Sequence, residues 1–372
     1  MSDRYCSMIH GGLTLSFKAD YTFAQHCCLR STVFPIDTTL DFWKDKQFVQ
    51  LREFNKTNQW DVECANCEQL EMANNVSFRQ GMNAGLGIQG QTDLTGPARI
   101  DLMFDISCNL ACRTCGPGSS TYWQRHLKQH KQWDEPIFVP RNREQVLEAL
   151  AQLDLSNLRQ LVFCGGETLL GNEYWAVADW FAEHVPNAKQ QLTLCFQTNG
   201  TQRILPAHHS IIEKFALVKL HVSLDGVQDQ FEYLRWPAQW TDTVANLMHL
   251  KQELPSNVMF VIEETVSIFN LASLDKLERW AQSQFAANRE GDATNHTRHL
   301  AKGMFGLHNC SAEYVEAMRG TPYGNLIPAA WQENTTNNIK DMIAEIKRFD
   351  VLRDQSFEAV FPDVARYYAR FL

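Results

Sequence analysis

Basic residues are outnumbered in this chain: 34 Lys and Arg stand against 43 Asp and Glu, a formal net charge of −9. A nucleic-acid binder draws most of its affinity from neutralising phosphates, so broad nucleic-acid binding is not expected. Long apolar runs are missing too, and no uncharged stretch is long enough to span a bilayer. The start, Met1-Ser2-Asp3-Arg4, leads into a polar, cysteine-bearing segment without the apolar core of a secretory signal. A cytoplasmic protein with no membrane partner is therefore expected. Internal repeats and low-complexity tracts are absent. The 44% hydrophobic and 21% charged fractions exclude a disordered chain, and 372 residues suffice for one large α/β domain and a smaller module.

Cysteine, by contrast, is plentiful. There are eleven, an odd number, most of them in tight groups toward the N-terminus. Thiols stay reduced in the cytoplasm, so grouped cysteines there point to metal or catalysis and not to disulfides.

Residues 1–97 carry five of the cysteines, many aromatics and weak helical periodicity. Gly81 to Pro97, with Gly85, Gly87, Gly90 and Gly96, reads as a linker, which puts a domain boundary near Pro97. Beyond it, apolar strand-like runs alternate with amphipathic helical runs. The strand candidates are Ile100–Phe104, Leu158–Phe163, Leu192–Phe196, Val218–Val222, Val258–Ile262 and Leu300–Leu307. Helical spacing marks Arg143–Leu153, Asn172–His184, Thr241–Leu254 and Ser273–Phe285. A β-α-β-α rhythm implies parallel strands joined by helical crossovers. The expected fold is α/β: a partial (β/α)6 barrel over residues 98–310, preceded by a small cysteine-rich α+β module over 1–97 and followed by a helical extension over 311–372. Ala329 to Asp350 reads as helix.

The sharpest motif is Cys108-Asn109-Leu110-Ala111-Cys112-Arg113-Thr114-Cys115, directly after a strand candidate. Three thiolates on one short loop can hold three corners of a [4Fe–4S] cube and leave the fourth iron open to another ligand. Ferredoxin-type spacings supply four cysteines per cluster. Zinc wants four ligands, usually in CxxC pairs, and this triplet has no near fourth cysteine.

This loop resembles the CxxxCxxC hallmark of the radical S-adenosylmethionine superfamily, and further features match it in order. Cys164-Gly165-Gly166-Glu167, after the second strand, resembles the GGE motif, with Thr168 where the family often has proline. Its glycines permit close backbone approach to a ligand. Its Glu167 carboxylate is suited to accept from the methionyl ammonium. Thr198-Asn199-Gly200 resembles the TNG element and Ser223-Leu224-Asp225-Gly226 the SLDG element. Strand ends at the C-terminal face of a barrel are where ligands bind. The resemblance thus makes Gly165, Gly166, Glu167, Thr198, Asn199 and Ser223 cofactor-binding candidates. Arg235 stands where relatives place an arginine near the methionyl carboxylate, and Thr265 to Asn270 are expected beside the adenine. Cys164, next to the turn, is either a packed small residue or a thiol that donates a hydrogen atom to a substrate radical. Cys195 reads as core, and His10, His126, His221 and His308 as structural or surface residues.

The N-terminal cysteines Cys6, Cys27-Cys28 and Cys64-Ala65-Asn66-Cys67 give four ligand groups. With Trp43, Leu51-Arg52 and Ser77-Phe78-Arg79 they resemble the auxiliary-cluster modules called SPASM and twitch domains. More closely, they resemble radical S-adenosylmethionine proteins of phage and environmental sequences that carry this module before the barrel. Phe349-Asp350, Leu352-Arg353 and Phe361-Pro362 extend that resemblance over nearly the whole chain. It implies a second [4Fe–4S] cluster, while the bare spacing also admits a structural zinc. Adjacent strand residues face opposite ways, so one of Cys27 and Cys28 is expected to ligate and the other to pack.

Taken together, the resemblance implies reductive cleavage of S-adenosylmethionine to a 5′-deoxyadenosyl radical that abstracts a hydrogen atom from substrate. An electron donor such as flavodoxin or ferredoxin is implied as a partner. The substrate class stays open between a ribosomally made peptide or protein and a small metabolite such as a sugar, aminocyclitol or nucleotide. A non-catalytic zinc-binding interaction protein is the third reading, and the presence of Cys108, Cys112, Cys115 and Glu167 together argues against it.

Overall fold

Apolar and polar residues alternate along the central strands, and the apolar set points to the helices. In the computed structural model, which describes residues 4–17, 22–27, 30, 32–39, 41–72, 76–140, 142–285, 296–327 and 336–372, nine strands form one sheet. They are β1 (Gly12–Phe17), β2 (Thr22–Gln25), β3 (Phe34–Pro35), β4 (Arg99–Met103), β5 (Gln160–Phe163), β6 (Thr193–Thr198), β7 (Leu217–Ser223), β8 (Val258–Val266) and β9 (His296–Leu300). Their order is β3-β2-β1-β4-β5-β6-β7-β8-β9. From β4 to β9 every neighbour is parallel and consecutive. Helices such as Glu173–His184 and Trp240–Glu253 fall between successive strands, the arrangement expected of six β/α units.

Ile100 and Leu102, Leu161 and Phe163, Leu194 and Phe196, Leu220 and Val222, and Phe260 and Ile262 are all buried in one core. They pack with Val146, Ala149, Trp175, Ala178, Leu247 and Leu277 from the crossover helices. All-parallel sheets usually bury both faces. Here the residues in the opposite phase are largely polar: Asp101, Gln160, Gln197, His221 and Glu263. Arg99 pairs with Asp101 at 2.8 Å, and His221 Nδ1 with Glu263 at 2.7 Å. A polar face is kept on a parallel sheet when something polar is to sit against it.

Three expectations change. The sheet crosses the boundary drawn near Pro97: β1 lies parallel to β4, with Leu13 opposite Ile100 and Leu15 opposite Leu102. β2 and β3 then continue the sheet antiparallel. The hairpin's apolar residues Leu13, Leu15 and Phe17 join the main core, so the N-terminal segment buries them there and not in a core of its own. The glycine-rich stretch is also more than a linker. Phe78–Gly85 is a helix, started by a capping box in which Ser77 and Gln80 satisfy each other's backbone N–H groups. Finally, the sixth parallel strand is His296–Leu300 and not Leu300–Leu307. Gly303, at φ +71°, turns the chain away, and Phe305 and Leu307 bury themselves in a second core.

That second core joins Leu234, which follows β7, and Val266, Ile268 and Phe269, at and after the end of β8, to Ile339, Met342, Ile343 and Ile346 of the helix Thr336–Arg353. The C-terminal helix expected over 329–350 therefore runs over 336–353, and residues 329–335 lie outside the described residues. Its packing places it on the segments that leave the C-terminal ends of the central strands.

Candidate active site

The cysteine loop is fixed from three sides. Ser120 caps the helix Thr121–Gln129 by accepting from Trp123 N–H, and its own hydroxyl donates to Leu110 O at 2.6 Å. Trp123 Nε1–H donates to Cys112 O at 2.9 Å. From a second side, Ala111 N–H donates to Trp236 O (2.8 Å) and Arg113 N–H to Leu234 O (2.7 Å). From the third, Asn199 Nδ2 donates to Asn109 Oδ1 (2.9 Å), and Asn109 Nδ2 to Thr201 Oγ1 (2.8 Å). The loop after β4, the end of β6 and the segment after β7 are thereby tied into one wall.

That wall surrounds a cleft of about 370 Å³. Its lining includes Cys108, Cys112 and Cys115, the turn residues Gly165 and Gly166, and Thr198, Asn199, Ser223, Arg235 and Thr265. Ten of the residues singled out from the sequence thus meet at one place, at the C-terminal ends of the parallel strands. Gln197, Ser119 and Ser120 line it as well. No motif marked them, although Gln197 is an exposed polar residue among buried ones in β6.

Two expected residues stand elsewhere. Glu167 is 2% exposed and is not among the lining residues. Its carboxylate accepts from Thr198 Oγ1 (2.7 Å), Leu169 N–H (3.0 Å) and Asn199 N–H (2.6 Å). Burial pushes its pKa up, against the pull of those donors. It braces the end of β6 from behind. The Cys164 thiol turns toward Leu102 O at 3.6 Å, and it too is outside the lining. Arg235 lines the cleft but is committed: it pairs with Asp225 at 2.9 Å and lies 3.9 Å from the Cys112 sulfur. Asp225 also accepts from Thr265 N–H at 2.8 Å.

The two glycines serve the wall itself. Gly165 sits at φ +133°, and a Cβ there would lie 2.2 Å from Asp105 O; a Cβ on Gly166 would lie 2.2 Å from Ser107 O. The turn is pressed against residues 105–107, with Glu167 N–H donating to Ser107 O at 2.8 Å. Only glycine allows that approach.

Three thiols line this cleft, yet among the described residues no three His, Cys, Asp or Glu side chains converge as ligands of one metal ion would. The donors are soft thiols, and three on one loop suffice for three irons of a [4Fe–4S] cube while falling one short of the four ligands zinc wants. Burial pushes Cys108 up to about 11 and Cys112 up to about 12, with Arg235 pulling the latter down. These thiols hold their protons at neutral pH until a metal displaces them.

A second group forms in the N-terminal part. Cys6 precedes the helix Ser7–Gly11, Cys27 follows β2, Cys64 ends a short turn, and Cys67 lies in the helix Ala65–Met72. All four line one cavity of about 30 Å³ with Ile9, Trp60 and Phe78. Arg30 holds its rim by pairing with Asp61 and Glu63, each at 2.8 Å. Cys28 lies outside the described residues. Burial pushes Cys6 up to about 11. His10, buried beside this cavity, stacks on Tyr5 and bonds Asn55 at 3.1 Å, a structural role.

No protein-family model matches the chain, and no curated protein matches it. Among solved structures it is similar to "Native anSMEcpe with bound AdoMet", at 15% identity and a TM-score of 0.39, over 69% of this chain and 62% of that one. It is also similar to Streptococcus suis SuiB bound to precursor peptide SuiA, at 10% identity and a TM-score of 0.40, over 95% and 74%. The chain spans about three fifths of the length of the anSMEcpe chains it matches. At such scores the likeness carries no weight, and function has to be read from this chain's own residues.

Proposed function

We propose that this protein is a radical S-adenosylmethionine enzyme whose [4Fe–4S] cluster is held by Cys108, Cys112 and Cys115. One observation carries the reading: a CxxxCxxC triplet, the two glycines of the GGE turn and the ends of three further parallel strands line a single cleft. Bound together there, cluster and S-adenosylmethionine would supply one-electron radical chemistry toward a substrate C–H bond. The chain's own residues do the rest. Asn199, Thr198, Ser223 and Thr265 offer hydrogen-bonding groups for the methionyl and ribosyl parts. Glu167 fixes the first two, and Gly165 and Gly166 keep the wall thin.

Cys6, Cys64, Cys67 and one of Cys27 and Cys28 hold a second cluster in this reading. The proposed substrate is a ribosomally made peptide or protein; the resemblance to auxiliary-cluster proteins supports it.

The test is product formation. With dithionite as reductant, Cys112→Ala should form no 5′-deoxyadenosine above background while wild type does. Undiminished product from a folded variant would sink the proposal.

A further inference from the structure

Arg353, the last residue of the helix Thr336–Arg353, is 6% exposed, and none of its three guanidinium nitrogens has a hydrogen-bond partner among the described residues. A buried charge is ordinarily paired, because stripping its water without compensation is costly. Arg353 is boxed instead by three rings. Its Cζ lies 4.6 Å from the Trp123 centroid, 4.9 Å from Trp236 and 4.7 Å from Phe349. Ring faces attract a cation, but they carry no charge to cancel it.

The carboxylate close by is already taken. Asp350, one turn earlier, accepts from Arg113 (2.6 Å), Tyr233 (2.9 Å) and Phe357 N–H (2.7 Å). Two of the three rings around Arg353 belong to residues that grip the cysteine loop: Trp123 donates to Cys112 O, and Trp236 O accepts from Ala111. Trp123 links the two directly: its ring faces the guanidinium while its Nε1–H bonds Cys112 O. Three arginines therefore surround this stretch of loop. Arg113 is answered by Asp350 and Arg235 by Asp225, and Arg353 is answered by neither.

We propose that Arg353 is the counter-charge of the cysteine-loop cluster, raising its reduction potential from behind the aromatic wall. The proposal rests on the cluster reading above. Loading sets three thiolates, in place of three neutral thiols, against an oxidised core of charge 2+, and the net single negative charge is what Arg353 lacks. One-electron reduction adds another negative charge to the same place. A fixed cation in low dielectric favours the reduced state, and it does so without hydrogen-bonding to the sulfurs. The rings hold the guanidinium in position and keep water from screening it. The C-terminal helix is then part of the redox machinery.

The experiment compares reconstituted wild type with Arg353→Met and Arg353→Gln, both neutral, and with Arg353→Lys, which keeps the charge. The midpoint potential is read by electron paramagnetic resonance in a redox titration, following the signal that changes when S-adenosylmethionine is added. Neutral variants with full iron should be harder to reduce. At a fixed poise the reduced-to-oxidised ratio should fall by roughly tenfold, about 59 mV for a one-electron couple. The Lys variant should recover most of that shift. An unchanged potential in an iron-replete neutral variant overturns the proposal. So does a Lys variant as low as Met, since packing and not charge would then set the value. If Met does not fold, Gln decides. Wild type that takes up no iron overturns the cluster reading first and this proposal with it, whereas iron with unchanged potential overturns this proposal alone.

Discussion

The two cysteine groups are built differently. The N-terminal one closes four described cysteines around about 30 Å³, among Ile9, Trp60 and Phe78 and the ion pairs of Arg30 with Asp61 and Glu63. The loop after β4 spreads three cysteines along a cleft of about 370 Å³, whose other walls are glycine, amide, hydroxyl and guanidinium. A site that surrounds its metal with thiols has no coordination position left for chemistry, as with closed structural zinc sites. A site one ligand short, beside polar strand ends, has both the position and the space. In the function proposed above, catalysis belongs to the loop, and the N-terminal group serves structure or electron transfer.

Metal analysis is the strongest way to break that division. If both groups hold [4Fe–4S] clusters, reconstituted protein should carry about eight irons, four for each cluster. Replacing Cys108, Cys112 and Cys115 together by Ala should remove about half of them and all adenosylmethionine cleavage. Replacing Cys64 and Cys67 by Ala should also remove about half the iron. If the triple variant keeps zinc and no iron, the N-terminal site is a zinc site and the auxiliary-cluster reading is wrong.

A smaller effect sharpens the role of the cleft wall. Glu167 accepts three hydrogen bonds from the turn and from the end of β6. Glu167→Gln puts an NH2 group against one of those donors, and a charged-group bond of this kind is worth about 1.5–3 kcal/mol. We expect a loss of stability of that order and weaker S-adenosylmethionine binding, with iron content unchanged. The matching change at the other site is Glu71→Gln, where Glu71 holds Arg79 through two bonds of 2.9 and 2.6 Å. It should cost stability and leave S-adenosylmethionine affinity alone. Denaturant midpoints and a ligand titration on both variants separate bracing from binding, and equal affinity in Glu167→Gln and wild type would detach the turn from the cleft.

How much of this was legible in sequence follows the range of the forces involved. Strand alternation and helical spacing are local, so five of the six parallel strands fall where the pattern puts them. Leu300–Leu307 failed because its apolar residues serve a helical core formed with residues 339–346, which no local period reveals. The boundary near Pro97 failed for the same reason: β1 pairs with β4 across more than eighty residues. The cysteine loop and its partner strand ends were readable because each ends a strand of one parallel sheet. Where Glu167 points was not, since a buried carboxylate and a ligand-facing one have the same letter. Arg353 was noticed only as part of a C-terminal resemblance. Its meaning depends on three rings drawn from three separate segments.

The smallest effect concerns acid. His126 is buried against the Trp236 ring, with centroids 4.8 Å apart, and also touches Trp123 and His130. Burial, and then the charges of Arg353, His130 and Arg348, push it down to about 4. Its unfolded value is near 6.5, so below that pH the unfolded chain binds a proton that the folded one refuses. Stability from this group is complete above pH 6.5 and lost as pH falls toward 4. Between pH 6.5 and 5.5 the loss should be about 1 kcal/mol. In the N-terminal part His26, pushed down to about 3 by burial, contributes a limb of the same sign. His221 has the opposite sign: Glu263 and Cys195 outweigh its burial and raise it to about 9, so its contribution is complete below 6.5 and lost as pH rises through 9. Stability should therefore peak near pH 6.5. His126 Nε2 has no partner among the described residues, so His126→Phe removes one acid limb without orphaning a hydrogen bond. Urea midpoints of this variant and wild type at pH 5.5, 6.5 and 8 are the measurement. The variant should lose about 1 kcal/mol less between 6.5 and 5.5, and should differ from wild type by only about 0.4 kcal/mol in the change from 6.5 to 8. An acid limb of undiminished size would mean that the other buried histidines, His26, His10 and His208, carry it.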